Sequence, residues 1–278
     1  MTYNSLLTQL DNQRTQPWVD YQFNMGGLTD IDSVIKTLRE SDSIENKVFC
    51  PHKILRGLLN HKEEYARESN FCNKKGNNLI KLINEAMDFC MEVYSGKNYE
   101  QNLDKLKIEI DNYFQYFKRK AILEIDDHVS WTSTHPDLNK STAKLLSQFP
   151  SILMIPMAHG SLRAATDIFL RYKDMKPESD SVIYPVRFST RKLCDCKPKL
   201  WHVECEYLIE KSSEREVILF DEDIFEGGTM VKAIGFFEQI FGKRVTAMAN
   251  TSRHTKAGII SRDDLKILSY RGEWGVKL

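Results

Sequence analysis

Two adjacent carboxylates and a pair of glycines lie close together in the second half of this chain of 278 residues. Asp221 and Glu222 directly follow the apolar run 217–220, and the glycine turn 227–228 comes a few residues later. Carboxylates accept hydrogen bonds from sugar hydroxyls and bind hard cations such as Mg²⁺. A glycine turn at the start of a helix offers backbone N–H groups and the positive end of the helix dipole to a phosphate. With the hydroxyl of Thr229, this stretch indicates a site for a phosphorylated sugar.

The elements around this stretch must bring its polar groups to one edge of a sheet. The apolar run suits a buried strand, and the segment 231–241 has the apolar spacing of a helix. In an open α/β sheet, ligands bind beyond the carboxyl ends of the strands, where the two carboxylates would lie. Strand-like and helix-like segments alternate from about residue 150 onward, which predicts a parallel sheet. Strands are expected at 151–156, 181–188, 207–209, 217–220, 245–249 and 265–270. The second of these contains Pro185, which predicts an edge position or a bulge.

The first part of the chain has helical spacing instead. Residues 1–28 are polar and are predicted to be irregular, and 125–128 is interpreted as a solvated turn, with a metal cluster as the alternative. Helices are expected to begin near Thr29, Pro51, Asn77, Tyr99 and Pro136. The sequence therefore predicts an α-helical region over 1–135 and an α/β domain with a parallel sheet over 136–278.

The stretch 217–229 also resembles a known motif. It is similar to the phosphoribosyl pyrophosphate (PRPP) motif of type I phosphoribosyltransferases, in which an apolar strand, two acidic residues and a short spacer lead to Thr-Gly-Gly-Thr or a close relative. The resemblance covers about residues 150–278 and includes two more segments. Where the family has a loop that holds the pyrophosphate, this chain has His159, Gly160 and Ser161. Where the family has a long basic loop that closes over the diphosphate, it has Arg187, Arg191 and Lys192.

The resemblance implies a phosphoribosyltransferase-like core and the activity of a pentosyltransferase, which is a class of glycosyltransferase. It also implies a role for each segment. Asp221 and Glu222 would accept hydrogen bonds from the ribose hydroxyls and hold Mg²⁺. The turn 227–229, with Gly227, Gly228 and Thr229, would bind the 5-phosphate. The leaving diphosphate would be bound by His159, Gly160, Ser161, Arg187, Arg191 and Lys192. Trp274 would stack on the base, with a packing role in the core as the alternative.

One residue departs from the family pattern. Glu226 stands where the family usually has Thr, and a carboxylate beside a phosphate pocket is repulsive. Three readings stay open: Glu226 points away, the ligand lacks a 5-phosphate and Glu226 binds a free hydroxyl, or catalysis has been lost. The alternative function is therefore a non-catalytic sensor of a nucleotide or PRPP, in a regulatory or defence-associated protein.

The basic stretch after the second expected strand also carries soft metal ligands. Cys194, Cys196, His202 and Cys205 could bind zinc. Their spacing is not one of the common zinc-finger spacings, so unliganded thiols are expected and zinc is the alternative.

Composition limits the class of protein. The formal net charge is zero, which argues against a general nucleic-acid binder, and the hydrophobic fraction of 41% suits a globular chain. No apolar run approaches the roughly 20 residues of a membrane helix, and the start does not resemble a signal peptide, so a cytoplasmic protein is expected. A homo-oligomer is also expected. A protein or nucleic-acid partner for the N-terminal helices is left open.

Overall fold

The computed structural model of the chain divides into two compact units, residues 1–132 and 133–278. The division falls close to the boundary expected between residues 135 and 136. The structure describes residues 3–13, 21–23, 30–68, 73–113, 127–129, 131–190, 195–224, 227–252 and 258–259. Among these residues, no helix is both long enough and apolar enough to cross a membrane.

The N-terminal unit is mainly helical, as the apolar spacing predicts. Its elements are α1 (Leu6–Asn12), β1 (Tyr21–Phe23), α2 (Ile31–Glu40), α3 (Ile44–Glu68), α4 (Asn73–Tyr94), α5 (Glu100–Tyr113) and β2 (Asp127–Val129). The predictions of an irregular segment over 1–28 and of a turn at 125–128 are wrong where the structure describes them. The first contains α1 and β1, and β1 pairs antiparallel with β2 from Tyr21 opposite Val129 to Phe23 opposite Asp127.

Three helix starts in this unit differ from the expected ones. The helix expected to begin near Asn77 is α4, which begins at Asn73. The N-cap of α2 is Asp30 and not Thr29, because its carboxylate accepts the N–H of Ser33 at 2.7 Å. Pro51 lies inside α3 and does not open it. Fully buried apolar residues flank this proline on both sides, so tertiary packing stabilises the longer helix despite the missing N–H.

The C-terminal unit alternates strands and helices. Its elements are α6 (Trp131–Thr134), which spans the division, α7 (Pro136–Leu146), β3 (Ile152–Ala158), α8 (Leu162–Met175), β4 (Val182–Ile183), β5 (Val186–Arg187), α9 (His202–Lys211), β6 (Glu216–Ile224), α10 (Gly228–Phe241), β7 (Thr246–Ser252) and β8 (Gly258–Ile259).

These strands form one sheet in the order β4-β3-β6-β7-β8, and β5 also pairs with β3. All pairings from β4 to β7 are parallel, while β8 is antiparallel to β7. The expected α/β unit with a parallel sheet is thus confirmed. The chain leaves β3 toward β4 on one side and returns to β6 on the other, so the strand order reverses between β3 and β6. Such a switch point leaves a crevice beyond the carboxyl ends of the two strands.

Two of the expected strands differ from the structure. The segment 181–188 is split into β4 and β5 around Pro185, in agreement with an edge strand or a bulge. The strand expected at 207–209 is wrong, because these residues belong to α9. The Glu204 carboxylate caps that helix by accepting the Trp201 N–H at 3.0 Å. Ile209 is 45% exposed, so the short apolar run does not mark a buried strand. The strand expected at 265–270 lies outside the described residues.

A buried polar network connects α7 and α8 to β7. The Asn250 side chain donates to Asn139 Oδ1 at 2.6 Å and accepts from the Thr142 hydroxyl at 2.7 Å. Asn139 in turn donates to Asp167 Oδ2 at 2.9 Å, and this oxygen also accepts from Arg171 Nε at 2.9 Å. These hydrogen bonds satisfy buried polar side chains, which would destabilise the fold if they had no partners. The network therefore holds both helices against the sheet.

Asn250→Ala is expected to lower the free energy of unfolding by about 2–4 kcal/mol, because it leaves buried partners without hydrogen bonds. Urea unfolding followed by circular dichroism measures the change. Ser141→Ala is the matched control, since this exposed hydroxyl donates to the Asp137 carbonyl within its own helix, and its effect should stay below about 0.5 kcal/mol. Equal effects of the two substitutions would contradict the stabilising role of the network.

Candidate functional site

The switch point brings two of the predicted segments together. Strands β3 and β6 pair in parallel from Ile152 opposite Glu216 to Pro156 opposite Phe220. Beyond this pairing, β3 leads into the turn 159–160, and β6 leads to Asp221 and Glu222. Because the carboxyl ends of neighbouring parallel strands share one edge, the glycine loop and the carboxylates meet there.

The contact between them is a carboxylate packed on a glycine backbone. A Cβ built on Gly160 would lie 1.9 Å from Glu222 Oε1 and 2.7 Å from its Cδ. Position 160 can therefore carry no side chain while Glu222 keeps this position. Glu222 Oε2 is buried and has no hydrogen-bond partner among the residues that the structure describes. A buried carboxylate oxygen of this kind is suited to a hydrogen-bond donor or a cation.

The second carboxylate shares this environment. Burial is the largest of the causes that raise the pKa of Asp221 well above its usual range. The neighbouring Glu222 charge, a side-chain hydrogen bond to Glu222 and the Asp223 charge raise this pKa further. The Glu222 N–H donates to Asp221 Oδ1 at 3.1 Å and opposes the shift. Asp221 therefore retains a proton more readily than an exposed aspartate, and a bound cation or hydroxyl donor would favour proton release.

Asp223, the third acidic residue of the stretch, is directed elsewhere. It is exposed, and its Oδ1 accepts the Thr251 hydroxyl at 2.8 Å. This hydrogen bond holds Asp223 toward β7. Asp221 and Glu222 are therefore the two carboxylates of the candidate site.

The glycine turn begins α10, as expected. Gly227 has a φ of 73°, a left-handed conformation that favours glycine, and Gly228 is the first residue of the helix. The hydroxyl of Thr229 lies 2.7 Å from the hydroxyl of Thr190. The segment after β5 thus reaches the first turn of α10, a contact that sequence reasoning missed because it joins two distant threonines.

The start of the basic segment lies on the other side of β3. Arg187 pairs in register with Ala158, the last residue of β3, and is therefore next to the turn at His159. Its Nη2 atom lies 3.9 Å from Asp195 Oδ1. Sequence reasoning also missed Asp195. The available signal was that it is the single acidic residue between Ser189 and Val203.

The hydroxyl of Ser161 is engaged within its own loop. This residue is fully buried, and its Oγ donates to the Met157 carbonyl at 2.5 Å. It therefore contributes to the shape of the loop, and its hydroxyl is not directed at a ligand. The neighbouring His159 is half-buried at the same turn.

The described members of the proposed zinc cluster do not come together. Cys196 is exposed, and His202 Nε2 lies 3.2 Å from Glu206 Oε1 on the exposed face of α9. In the described part of the chain, no group of three potential ligands could hold a metal ion. Five predicted site residues lie outside the described residues: Arg191, Lys192, Cys194, Glu226 and Trp274.

Gly160→Ala is expected to push the Glu222 carboxylate away from Asp221. The pKa of Asp221 should then fall part of the way toward its ordinary value, because one of the neighbouring charges moves off. Nuclear magnetic resonance titration of the Asp221 carboxyl carbon measures this pKa. Gly235→Ala is the control, since a Cβ there would meet no described atom within 4 Å. An unchanged Asp221 pKa in Gly160→Ala would contradict the contact.

Asp221→Asn is expected to stabilise the chain at neutral pH and above. With a raised pKa in the folded state, the stability from protonated Asp221 is fully present below its unfolded pKa of about 3.9 and is lost as pH rises through the folded pKa. The substitution should therefore raise the free energy of unfolding at pH 8 by an amount on the order of 1 kcal/mol. Urea unfolding at pH 8 and pH 3.5 tests this. The gain should vanish at the lower pH. Asp223→Asn should give a smaller gain at pH 8, because the Asp223 charge is the least of the causes that raise the Asp221 pKa.

The chain was compared with family models, curated proteins and solved structures. No family model, no curated protein and no solved structure matches the chain.

Proposed function

We propose that the C-terminal unit binds PRPP or a related ribosyl phosphate and transfers the ribosyl group to a base or another acceptor. One observation carries this proposal: the Glu222 carboxylate lies on Gly160 beside Asp221, and its Oε2 has no hydrogen-bond partner among the described residues. This acceptor group is at the switch point of a parallel sheet, where such folds bind their ligands.

The carboxylates suit the sugar end of such a ligand. Two adjacent ribose hydroxyls present two donors, and Asp221 with Glu222 presents acceptor oxygens on neighbouring residues. Hydrogen bonds from hydroxyls to ionised carboxylates are charge-assisted and therefore stronger than neutral ones. The same negative charge would favour the positive charge that develops on the sugar ring as the leaving group departs.

The glycine turn and the basic segment suit the phosphates. Gly227 and Gly228 begin a helix of 14 residues, whose N-terminal N–H groups favour an anion. Thr229 would exchange its contact with Thr190 for one to the 5-phosphate. Arg187, beside the end of β3, would bind oxygens of the diphosphate bidentately.

The reaction exchanges one bond at C1 of the ribose for another. The bond from C1 to the diphosphate oxygen breaks, and its electron pair leaves with the diphosphate. The acceptor nitrogen forms the new bond with its lone pair and then loses its proton to solvent. Arg187 would stabilise the charge on the diphosphate, and Asp221 with Glu222 would hold the ribose during the exchange.

Magnesium fits this residue set. Mg²⁺ is usually held by one or two carboxylates together with substrate phosphates and water, so a site with only two carboxylates is sufficient. Asp221 and Glu222 would hold it, and Glu222 Oε2 is a buried oxygen without a hydrogen-bond partner among the described residues. The ion would supply neutralisation of the diphosphate charge.

A second candidate is binding of the same ligand class without turnover. It is favoured by the position of Glu222 Oε1, which occupies the space beside the Gly160 backbone where the diphosphate was expected. A carboxylate there repels an approaching diphosphate unless it moves or is neutralised. In a sensor, the ligand would be held by its sugar and 5-phosphate, and the diphosphate would stay intact.

Titration calorimetry with PRPP, with and without Mg²⁺, tests the proposal. Binding is expected with Mg²⁺, and Glu222→Gln should weaken it by about tenfold or more because a charge-assisted hydrogen bond is lost. Asp223→Asn is the matched control, since this exposed carboxylate is held toward Thr251, and it should bind like the wild type. No heat at millimolar PRPP would exclude both candidates.

Pyrophosphate release separates the two candidates. With PRPP, Mg²⁺ and a panel of purine and pyrimidine bases, a transferase releases pyrophosphate with at least one acceptor. Binding without release in any mixture would favour the sensor. The Glu222→Gln variant serves as the control for contaminating activity in both assays.

A further inference from the structure

A buried carboxylate that has no role in the proposed site lies between two cations of the basic segment. Asp195 is 6% exposed, and its Oδ1 lies 3.9 Å from both Arg187 Nη2 and Lys199 Nζ. This distance is beyond hydrogen-bond contact, so the attraction is one between charges and not a closed ion pair. One negative charge thus lies within 4 Å of two positive charges.

The other half of the carboxylate is fixed by the backbone. Asp195 Oδ2 accepts the Ser189 N–H at 3.1 Å, and the Asp195 N–H donates to the Ser189 carbonyl at 3.0 Å. The Lys199 N–H donates to the Arg187 carbonyl at 3.0 Å. These main-chain contacts hold the carboxylate near the two cations whether or not the side chains bind it closely.

Arg187 has unused capacity to bind an anion. Its Nε is buried and has no hydrogen-bond partner within the described part of the chain. A buried guanidinium donor without a partner is destabilising, and an oxyanion is the group that satisfies it best. Because Arg187 is in register with Ala158, such an oxyanion would lie beside the turn 159–160.

We infer that Asp195 is an internal counter-charge that sets the affinity of Arg187 and Lys199 for the diphosphate of the ligand. This inference rests on the proposed function and names a specificity-determining residue for it. A bound diphosphate would replace Asp195 as the partner of the Arg187 guanidinium, while Asp195 keeps its hydrogen bond with the Ser189 N–H. The carboxylate weakens diphosphate binding by repulsion, and so it favours release of the product.

Titration of the full chain with inorganic pyrophosphate and Mg²⁺ tests this inference. Asp195→Asn keeps an acceptor for the Ser189 N–H but removes the charge, so it should bind pyrophosphate about three- to tenfold more tightly than the wild type. Arg187→Ala should bind it more weakly. Asp180→Asn is the matched control, because Asp180 also forms an ion pair with an arginine, Arg215, but at an exposed position, and its affinity should be unchanged.

The salt dependence provides a readout that a purely structural role would not change. The affinity of Asp195→Asn should fall more steeply with added salt, because one more net positive charge faces the anion. Equal or weaker binding by Asp195→Asn, with the wild type still binding PRPP, would overturn this inference and leave the proposed function intact. If neither the wild type nor Asp195→Asn binds pyrophosphate or PRPP, both fail. Binding gained only in Asp195→Asn would support the counter-charge.

Discussion

The packing of the Glu222 carboxylate on the backbone of Gly160 is the constraint on which the candidate site depends. It follows from two buried parallel strands, β3 and β6, that pair in register and end at the same edge of the sheet. Because both main chains are fixed by the core, the carboxylate can lie there only if position 160 has no side chain. The cost is a partly buried pair of acids with a raised pKa at Asp221. Perturbed carboxyl groups in a crevice are more typical of functional sites than of scaffolds.

Charge is distributed unevenly around β3. The edge toward β6 carries the two carboxylates, whereas the side toward β5 carries Arg187 and Lys199 with Asp195 between them. A ligand with hydroxyls at one end and oxyanions at the other would match this distribution. Acceptor oxygens and cations thus lie on opposite sides of one strand.

Local patterns were sufficient for the elements that carry the carboxylates and the glycine turn. The run before Asp221 is apolar over four residues, and Gly227 marks the helix start, so β6 and α10 were predictable. Local patterns failed where packing overrides propensity. Pro51 lies inside a helix because buried neighbours support it, and 207–209 is helical because Glu204 caps α9. Helix and strand cannot be separated by periodicity in an apolar run this short.

The sequence by itself determined the alternation of strands and helices, the parallel sheet and the identity of the acidic pair, because these depend on residues close together in the chain. Only the tertiary structure decided that Glu222 lies on Gly160, that Thr190 reaches Thr229, and that Asp195 stands between two cations. The first two contacts join residues that are far apart in sequence. The third depends on the path of the segment after β5. Such contacts are set by the strand order and register of the whole sheet, which no local pattern encodes.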